Sequence, residues 1–279
     1  MPVPFDPVKA AGKAGKKPRV LVVANQKGGV GKTTTAINLG TALAAVGQPT
    51  LILDIDPQGN ASTGLGIHQP DRKTTIYDVL MGEATLSEAV MPTRIPGLSL
   101  IASTVDLSGA ELELIDNPRR NFILKDALAD LAASQAERFS YVLIDCPPSL
   151  TLLTVNAMAA ADAVVVPLQC EFFALEGLSQ LLKTIGLVRA NLNPELDIQG
   201  IVLTMFDKRN RLSDQVAADV RQHMGDKVYD TIIPRNVRIS EAPSHGLPAL
   251  VYDLRCPGSQ AYIKLAGELI KRERARLAA

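Results

Sequence analysis

Apolar residues in this chain fall into short, largely β-branched runs separated by longer stretches with helical spacing. Val20–Ala24, Thr50–Leu53, Leu98–Ala102, Tyr141–Ile144, Asp162–Leu168 and Ile198–Phe206 read as strands, and Tyr229–Pro234 as a last short one. Between them, Ala36–Leu43, two short pieces within 74–90, Leu107–Ile115, Asn121–Leu131, the Leu178/Leu181/Leu182/Ile185/Val188 series, Asp214–His223 and Ser259–Leu277 read as helices. Asn60–Gly66, all small or polar except Leu65, reads as a flexible connection. Strands alternating with helices predict an α/β fold: one domain over 18–279, with a twisted, mainly parallel sheet and helices on both faces. Residues 1–17 are rich in Pro, Ala, Gly and Lys without periodicity and read as a flexible basic tail.

Composition narrows the function. Charged residues make up 21% of the 279 and balance to zero, so any nucleic-acid binding must come from a local basic patch. Aromatics are 4%, with no Trp, which argues against base-stacking platforms. Cys146, Cys170 and Cys256 are odd in number and far apart, fitting neither a disulfide framework nor a zinc site and implying a reducing cytosol. No apolar run approaches the length of a membrane span, and the N-terminus lacks the apolar core of a signal peptide, so a cytoplasmic location is expected.

The chemistry centres on Asn25-Gln26-Lys27-Gly28-Gly29-Val30-Gly31-Lys32-Thr33-Thr34-Thr35, between the first strand and the first helix. Strand, glycine-rich turn and helix form the context of a phosphate-binding loop, making this a P-loop NTPase. Glycines let the backbone N–H groups of 28–34 converge on an anion at the helix N-terminus. Lys32 is placed to reach the β- and γ-phosphates of a nucleotide, and the Thr33 hydroxyl to ligate Mg²⁺. The usual pattern wants Gly at position 26; here Gln26 stands there, followed by a second lysine, Lys27.

Two strands end in carboxylates. Alternation places Asp54 and Asp56 of Asp54-Ile55-Asp56-Pro57-Gln58-Gly59-Asn60 on one side, at the C-terminal end of a parallel strand, where open α/β sheets bind ligands. A carboxylate there orients a water towards a γ-phosphate or holds the Mg²⁺ shell; the pair also suits capping of the next turn. The run Leu143-Ile144-Asp145-Cys146-Pro147-Pro148-Ser149 is an apolar strand ending in a carboxylate, the arrangement that holds Mg²⁺ or its water through Asp145.

Together with Ile233-Pro234-Arg235-Asn236-Val237-Arg238-Ile239-Ser240-Glu241-Ala242-Pro243-Ser244, these stretches resemble the ParA/MinD class of P-loop ATPases, in particular its chromosomal ParA (Soj-like) members, from about Arg19 to the last helix. The resemblance implies ATP and Mg²⁺ as cofactors and hydrolysis of ATP to ADP and phosphate. It implies a homodimer sandwiching two nucleotides, with Lys27 crossing to the partner's phosphates and assisting Lys32 in catalysis. By the same resemblance Asp56 positions the hydrolytic water, Asp54 supports it, and Thr33, Asp145 and Asp56 serve the metal. Cys146 invites comparison with the cluster-binding nitrogenase iron protein, but that site needs two cysteines per chain, and Cys146 directly follows the aspartate; it reads as a buried structural thiol.

Basic residues gather in the last third of the chain. By resemblance, Arg209 and Arg238 match the positions that carry nonspecific double-stranded DNA contacts, with Arg211 and Arg235 as neighbours, while Pro234 and Asn236 lie beside the adenine. A ParB-like partner that stimulates hydrolysis and a nucleoid location follow from the same source. The competing class is a MinD-like membrane switch. Here the last helix carries an apolar stripe, Tyr262, Ile263, Leu265, Ala266, Leu269 and Ile270, that reads as core-packing, and Lys271–Leu277 lacks a wide apolar face. A third class is a metabolic P-loop enzyme with a small-molecule pocket, which only the shared loop supports.

Overall fold

The short apolar runs become the strands of one sheet: Arg19–Val23 (β1), Thr50–Asp54 (β2), Met91–Pro92 (β3), Leu98–Ile101 (β4), Tyr141–Asp145 (β5), Ala163–Gln169 (β6) and Asp197–Thr204 (β7). The structure, a computed structural model, describes residues 17–135 and 138–278; the expected tail, apart from Lys17, lies outside the described residues. Strand order is β3-β4-β2-β5-β1-β6-β7, and only the β3–β4 pair is antiparallel.

Alternation along each strand divides the apolar residues between two cores. Val20, Val22, Leu51, Leu53, Val142, Ile144, Val164 and Val166 face one side, against the helices Ile123–Gln135, Leu152–Ala160, Ala174–Asn191 and Arg211–Met224. Leu21, Val23, Ile52, Leu143 and Val165 face the other, against the helix Lys32–Ala45 (α1) and the C-terminal helix Pro257–Ala278. The stripe of Tyr262, Leu265, Ala266 and Leu269 is buried there, as its spacing implied. No helix among the described residues is long and apolar enough to cross a membrane.

Three expectations are corrected. Tyr229–Pro234 forms no ladder strand: it touches the β7 segment through isolated bridges Ile201–Val228 and Phe206–Pro234. The backbone N–H groups of Asp230 and Thr231 donate instead to the Glu268 carboxylate at 2.9 and 3.0 Å, which satisfies them without a strand partner. Asn60–Gly64 is a short helix, because Ser62 donates its N–H and hydroxyl to Asp54 at 2.8 and 2.7 Å. The expected helix over 107–115 is two pieces, a 3₁₀ turn Val105–Ser108 and a helical turn Ala110–Glu113, meeting at Gly109. The edge strand β3, two residues long, is too short to leave a periodic signal.

The C-terminal ends of β1, β2 and β5, neighbours in the sheet, bring the glycine-rich loop, Asp54 and Asp145 to one edge.

Candidate nucleotide-binding site

The loop after β1 is held in shape by contacts to two further strands. Asn25, buried, donates its Nδ2 to the carbonyl of Pro167 in β6 at 2.7 Å and accepts the Lys27 N–H on Oδ1 at 3.0 Å. Thr204, at the end of β7, donates its hydroxyl to the Val30 carbonyl at 2.8 Å. Gly31 precedes α1 at φ 91°, a left-handed conformation that glycine adopts without strain. The helix begins at Lys32, so the N–H groups of its first turn, Thr33 and Thr34 included, have no intrahelical acceptor and stand with the positive end of the helix dipole. Lys32 is buried and donates Nζ to the Lys27 carbonyl at 3.2 Å. Burial pulls its pKa down, and the neighbouring Asp145, Cys146 and Asp56 oppose that pull.

Facing Lys32 is an acidic group that no cation balances in full. Asp54 and Asp145 are register partners on β2 and β5, both fully buried. Asp54 is satisfied locally by Ser62 and by the Asp56 N–H at 3.3 Å; burial nonetheless lifts its pKa to about 6. Neither Asp145 oxygen has a hydrogen-bond partner of good geometry. Burial, followed by the charge of Asp54, raises its pKa well above the ordinary carboxylate range, while the nearby Thr33 hydroxyl acts in the opposite sense. Asp56 is buried, and its Oδ1 accepts the Gln58 N–H at 3.0 Å, so the turn-capping role is real and occupies one carboxylate oxygen. A buried, unpartnered carboxylate beside a hydroxyl and a second carboxylate is an oxygen donor set suited to Mg²⁺, which takes few protein ligands and keeps several waters. Thr33, Asp145 and Asp56 therefore fit the metal. Cys146 is buried, and desolvation with Asp145 keeps it a thiol.

Lys27, the additional lysine, does not turn into this pocket. Its Nζ pairs with Glu171, after β6, at 2.5 Å, and both side chains remain substantially exposed. Phe172 and Phe173, exposed and stacked edge to face, follow directly. Gly28 and Gly29 are exposed, with open space where a Cβ would stand.

The bridge between Phe206 and Pro234, with the Arg235 N–H donating to the Phe206 carbonyl at 3.0 Å, brings the two basic loops to the β7 side of the same sheet edge. Arg209, Arg211, Arg235 and Arg238 are all exposed there. Two are ion-paired: Arg209 chelates Asp207 at 3.0 and 2.8 Å, holding that carboxyl down at about 2, and Arg238 pairs with Glu241 at 2.9 Å. Asn236 caps the Val237–Glu241 helix by accepting the Arg238 N–H at 2.9 Å. A cleft of about 290 Å³ opens beside Thr33 and Thr34, walled by Asn60, Thr63, Pro243 and Leu247. Pro234 and Asn236 do not line it.

Sequence reasoning assigned no role to Asn25 or Thr204, and read Glu171 only as part of a segment, Glu171–Gly177, that by resemblance helps build a dimer face and by its residues alone suits the core equally. Asn25 carried a usable signal, an Asn two residues before the N–H it accepts, which is the Asx-turn spacing. Thr204 and Glu171 carried none, since their partners lie 174 and 144 residues away.

A family model described as an AAA domain matches residues 18–198. The chromosome partitioning protein ParA of Caulobacter vibrioides is 66% identical over 260 residues, covering 93% of this chain and 97% of that protein. The sporulation initiation inhibitor protein Soj of Bacillus subtilis is 49% identical, covering 90% and 98%. Among solved structures, cobyrinic acid a,c-diamide synthase from Mycobacterium smegmatis, with bound ADP and magnesium, superposes with a TM-score of 0.80 at 37% identity, covering 92% of this chain and 96% of that one. Loop, carboxylate pair and relatives converge: the chain belongs to the ParA/Soj family of chromosome-partitioning P-loop ATPases.

Proposed function

We propose that this chain is an ATP-driven DNA-segregation switch: it dimerises on ATP and Mg²⁺, binds DNA without sequence preference, and lets go after hydrolysis. The observation that carries this is the site's division of labour. Lys32 lies buried beside the carboxylates, while Lys27 stands at the rim, part-exposed and paired with Glu171. Lys32 and the loop N–H groups of Gly28, Gly29, Val30, Gly31, Thr33 and Thr34 hold the phosphates. Thr33, Asp145 and Asp56 hold Mg²⁺, which when bound neutralises charge on the β- and γ-phosphate oxygens. Asp56 uses its carboxylate to orient the attacking water. Lys27 exchanges Glu171 for the partner's nucleotide and thereby makes dimerisation depend on ATP. Pro234 and Asn236 flank the adenine.

Two copies of the exposed set Arg209, Arg211, Arg235 and Arg238 give one platform, and joining two weak sites raises avidity without new contacts. Such arginines read phosphate charge, not base sequence. A ParB-like partner accelerates hydrolysis, and ATP sets the residence time on the nucleoid.

The test is binding to random-sequence duplex DNA and to anionic vesicles with ATP, ADP or no nucleotide, at two salt concentrations, for the wild type and Asp56→Ala. ATP-dependent DNA binding that weakens steeply with salt, retained by Asp56→Ala while its turnover is lost, supports the reading. Vesicle binding without DNA binding overturns it in favour of a membrane switch.

A further inference from the structure

We infer that Arg72 is a positioning residue for hydrolysis: it clamps the turn that carries Asp56, and this rests on the reading that Asp56 orients the attacking water. Arg72 lies on the loop after the Asn60–Gly64 helix, half buried, in a stretch where neither motif nor periodicity points to a function. Its guanidinium gathers four separate points of the chain. Nη1 donates to the Ser103 carbonyl, just past β4, at 2.8 Å. Nη2 donates to the Thr63 hydroxyl at 2.8 Å, the Ile67 carbonyl at 2.9 Å and, at 3.4 Å, the Gly59 carbonyl. Nε donates to Ile67 as well, at 3.2 Å.

These acceptors lie along the segment that leaves Asp56. The Gly59 N–H closes the turn on the Asp56 carbonyl at 2.8 Å, and the Gly59 carbonyl in turn accepts the Thr63 N–H at 3.0 Å. Gly59 sits at φ 62°, and a Cβ there would come within 2.3 Å of Arg72 Nη1 and 3.1 Å of the Ser103 carbonyl. A side chain there would push the guanidinium aside and crowd the Ser103 carbonyl, on top of the strain that the positive φ imposes. From beneath, Asp54 holds Ser62, and the Ser62 hydroxyl accepts the Ser103 N–H at 3.2 Å. Asp56 therefore sits on a turn pinned to β2 through Asp54 and Ser62, and to β4 through Ser103 and Arg72. Arg72 bridges the far side of that turn without itself lining the Thr33 and Thr34 cleft.

A fixed fork of five N–H donors suits this task. A lysine keeps the charge but offers three donors from one point, and cannot reach the same spread of acceptors together. Small displacements of a positioning group cost up to about 10²-fold in rate, so loosening this turn is expected to appear in kcat and not in nucleotide binding.

The experiment measures steady-state ATP hydrolysis with Mg²⁺ by the full chain, for the wild type, Arg72→Lys, Arg72→Gln, Thr63→Val and Asp56→Ala, with amide hydrogen exchange on each. Both Arg72 variants should lower kcat about tenfold or more while KM for ATP stays within about twofold. Faster exchange should be confined to residues 57–67, leaving α1 protected. Thr63→Val, at an exposed position, removes the acceptor of Nη2 and the hydroxyl's own donation to the Gly59 carbonyl at 3.1 Å, serves if the Arg72 variants fold poorly, and should lower kcat about threefold. Rescue of kcat by Arg72→Lys overturns the inference, as does a raised KM with unchanged kcat. Asp56→Ala inactive beside fully active Arg72 variants overturns the clamp alone. Asp56→Ala with wild-type turnover overturns the Asp56 reading and the clamp with it.

Discussion

Asp145→Asn should make the nucleotide-free protein more stable while destroying its response to ATP and Mg²⁺. Both Asp145 oxygens are buried without a partner, one strand away from a second buried carboxylate. An unsatisfied buried polar group costs about 1–3 kcal/mol. The asparagine has the same shape, carries no charge and can donate an N–H towards Asp54, so a gain of about 1–3 kcal/mol is expected at pH 7.5 in EDTA. The sign with pH follows from linkage. Burial and then Asp54 raise the native pKa of Asp145 above its ordinary 3.8. Between the two values the native state keeps a proton that the unfolded chain has released. The stability from this group is complete below 3.8 and falls as pH rises, by about 1.4 kcal/mol per pH unit until the native carboxyl ionises. Asparagine does not titrate, so the variant's advantage should widen as pH rises above 3.8, until the native Asp145 carboxyl ionises. Urea unfolding at several pH values, with unchanged m-values, reads this directly. Saturating ATP and Mg²⁺ should reverse the order, because only the wild type gains binding free energy on folding. A variant less stable than the wild type at every pH in EDTA would show that the carboxylate is compensated and refute the reasoning.

Lys27→Ala should bind nucleotide as a monomer, with ATP affinity within a few-fold of wild type; light scattering that shows normal ATP-dependent dimers sinks the cross-chain role. Arg238→Glu should dimerise with ATP yet lose DNA, read by filter binding against salt; wild-type affinity would move the DNA face elsewhere. Asn25→Ala strips partners from the Pro167 carbonyl and the Lys27 N–H, and should lower stability by about 1–3 kcal/mol and Tm by several degrees. Unchanged Tm and ATP affinity would mean the loop holds its shape without Asn25.

Much of this protein is legible in its sequence because the signals are local. The short apolar runs name six of the seven strands, since a strand buried on both faces has to be apolar throughout. The glycine-rich loop, Lys32 and Thr33 can be recognised because phosphate binding needs those groups at fixed spacing along one strand–turn–helix, and Asp54 and Asp145 because each is a carboxylate that ends an apolar strand. The tertiary structure decided what depends on partners distant in the chain. Only the pairing of β2 with β5 sets Asp54 against Asp145; burial makes both costly to ionise, and the charge of Asp54 adds to the cost at Asp145. Tyr229–Pro234 has the composition of a strand, and its Tyr229 and Ile233 N–H groups reach the Ile201 and Leu203 carbonyls, yet Glu268 takes the Thr231 N–H between them and the ladder is broken. Thr204, Glu171 and Arg72 are unremarkable where they stand in the sequence, and gain their roles from acceptors and donors that folding delivers. Periodicity along a chain records which face of an element is buried; it holds no record of which distant group will meet it there.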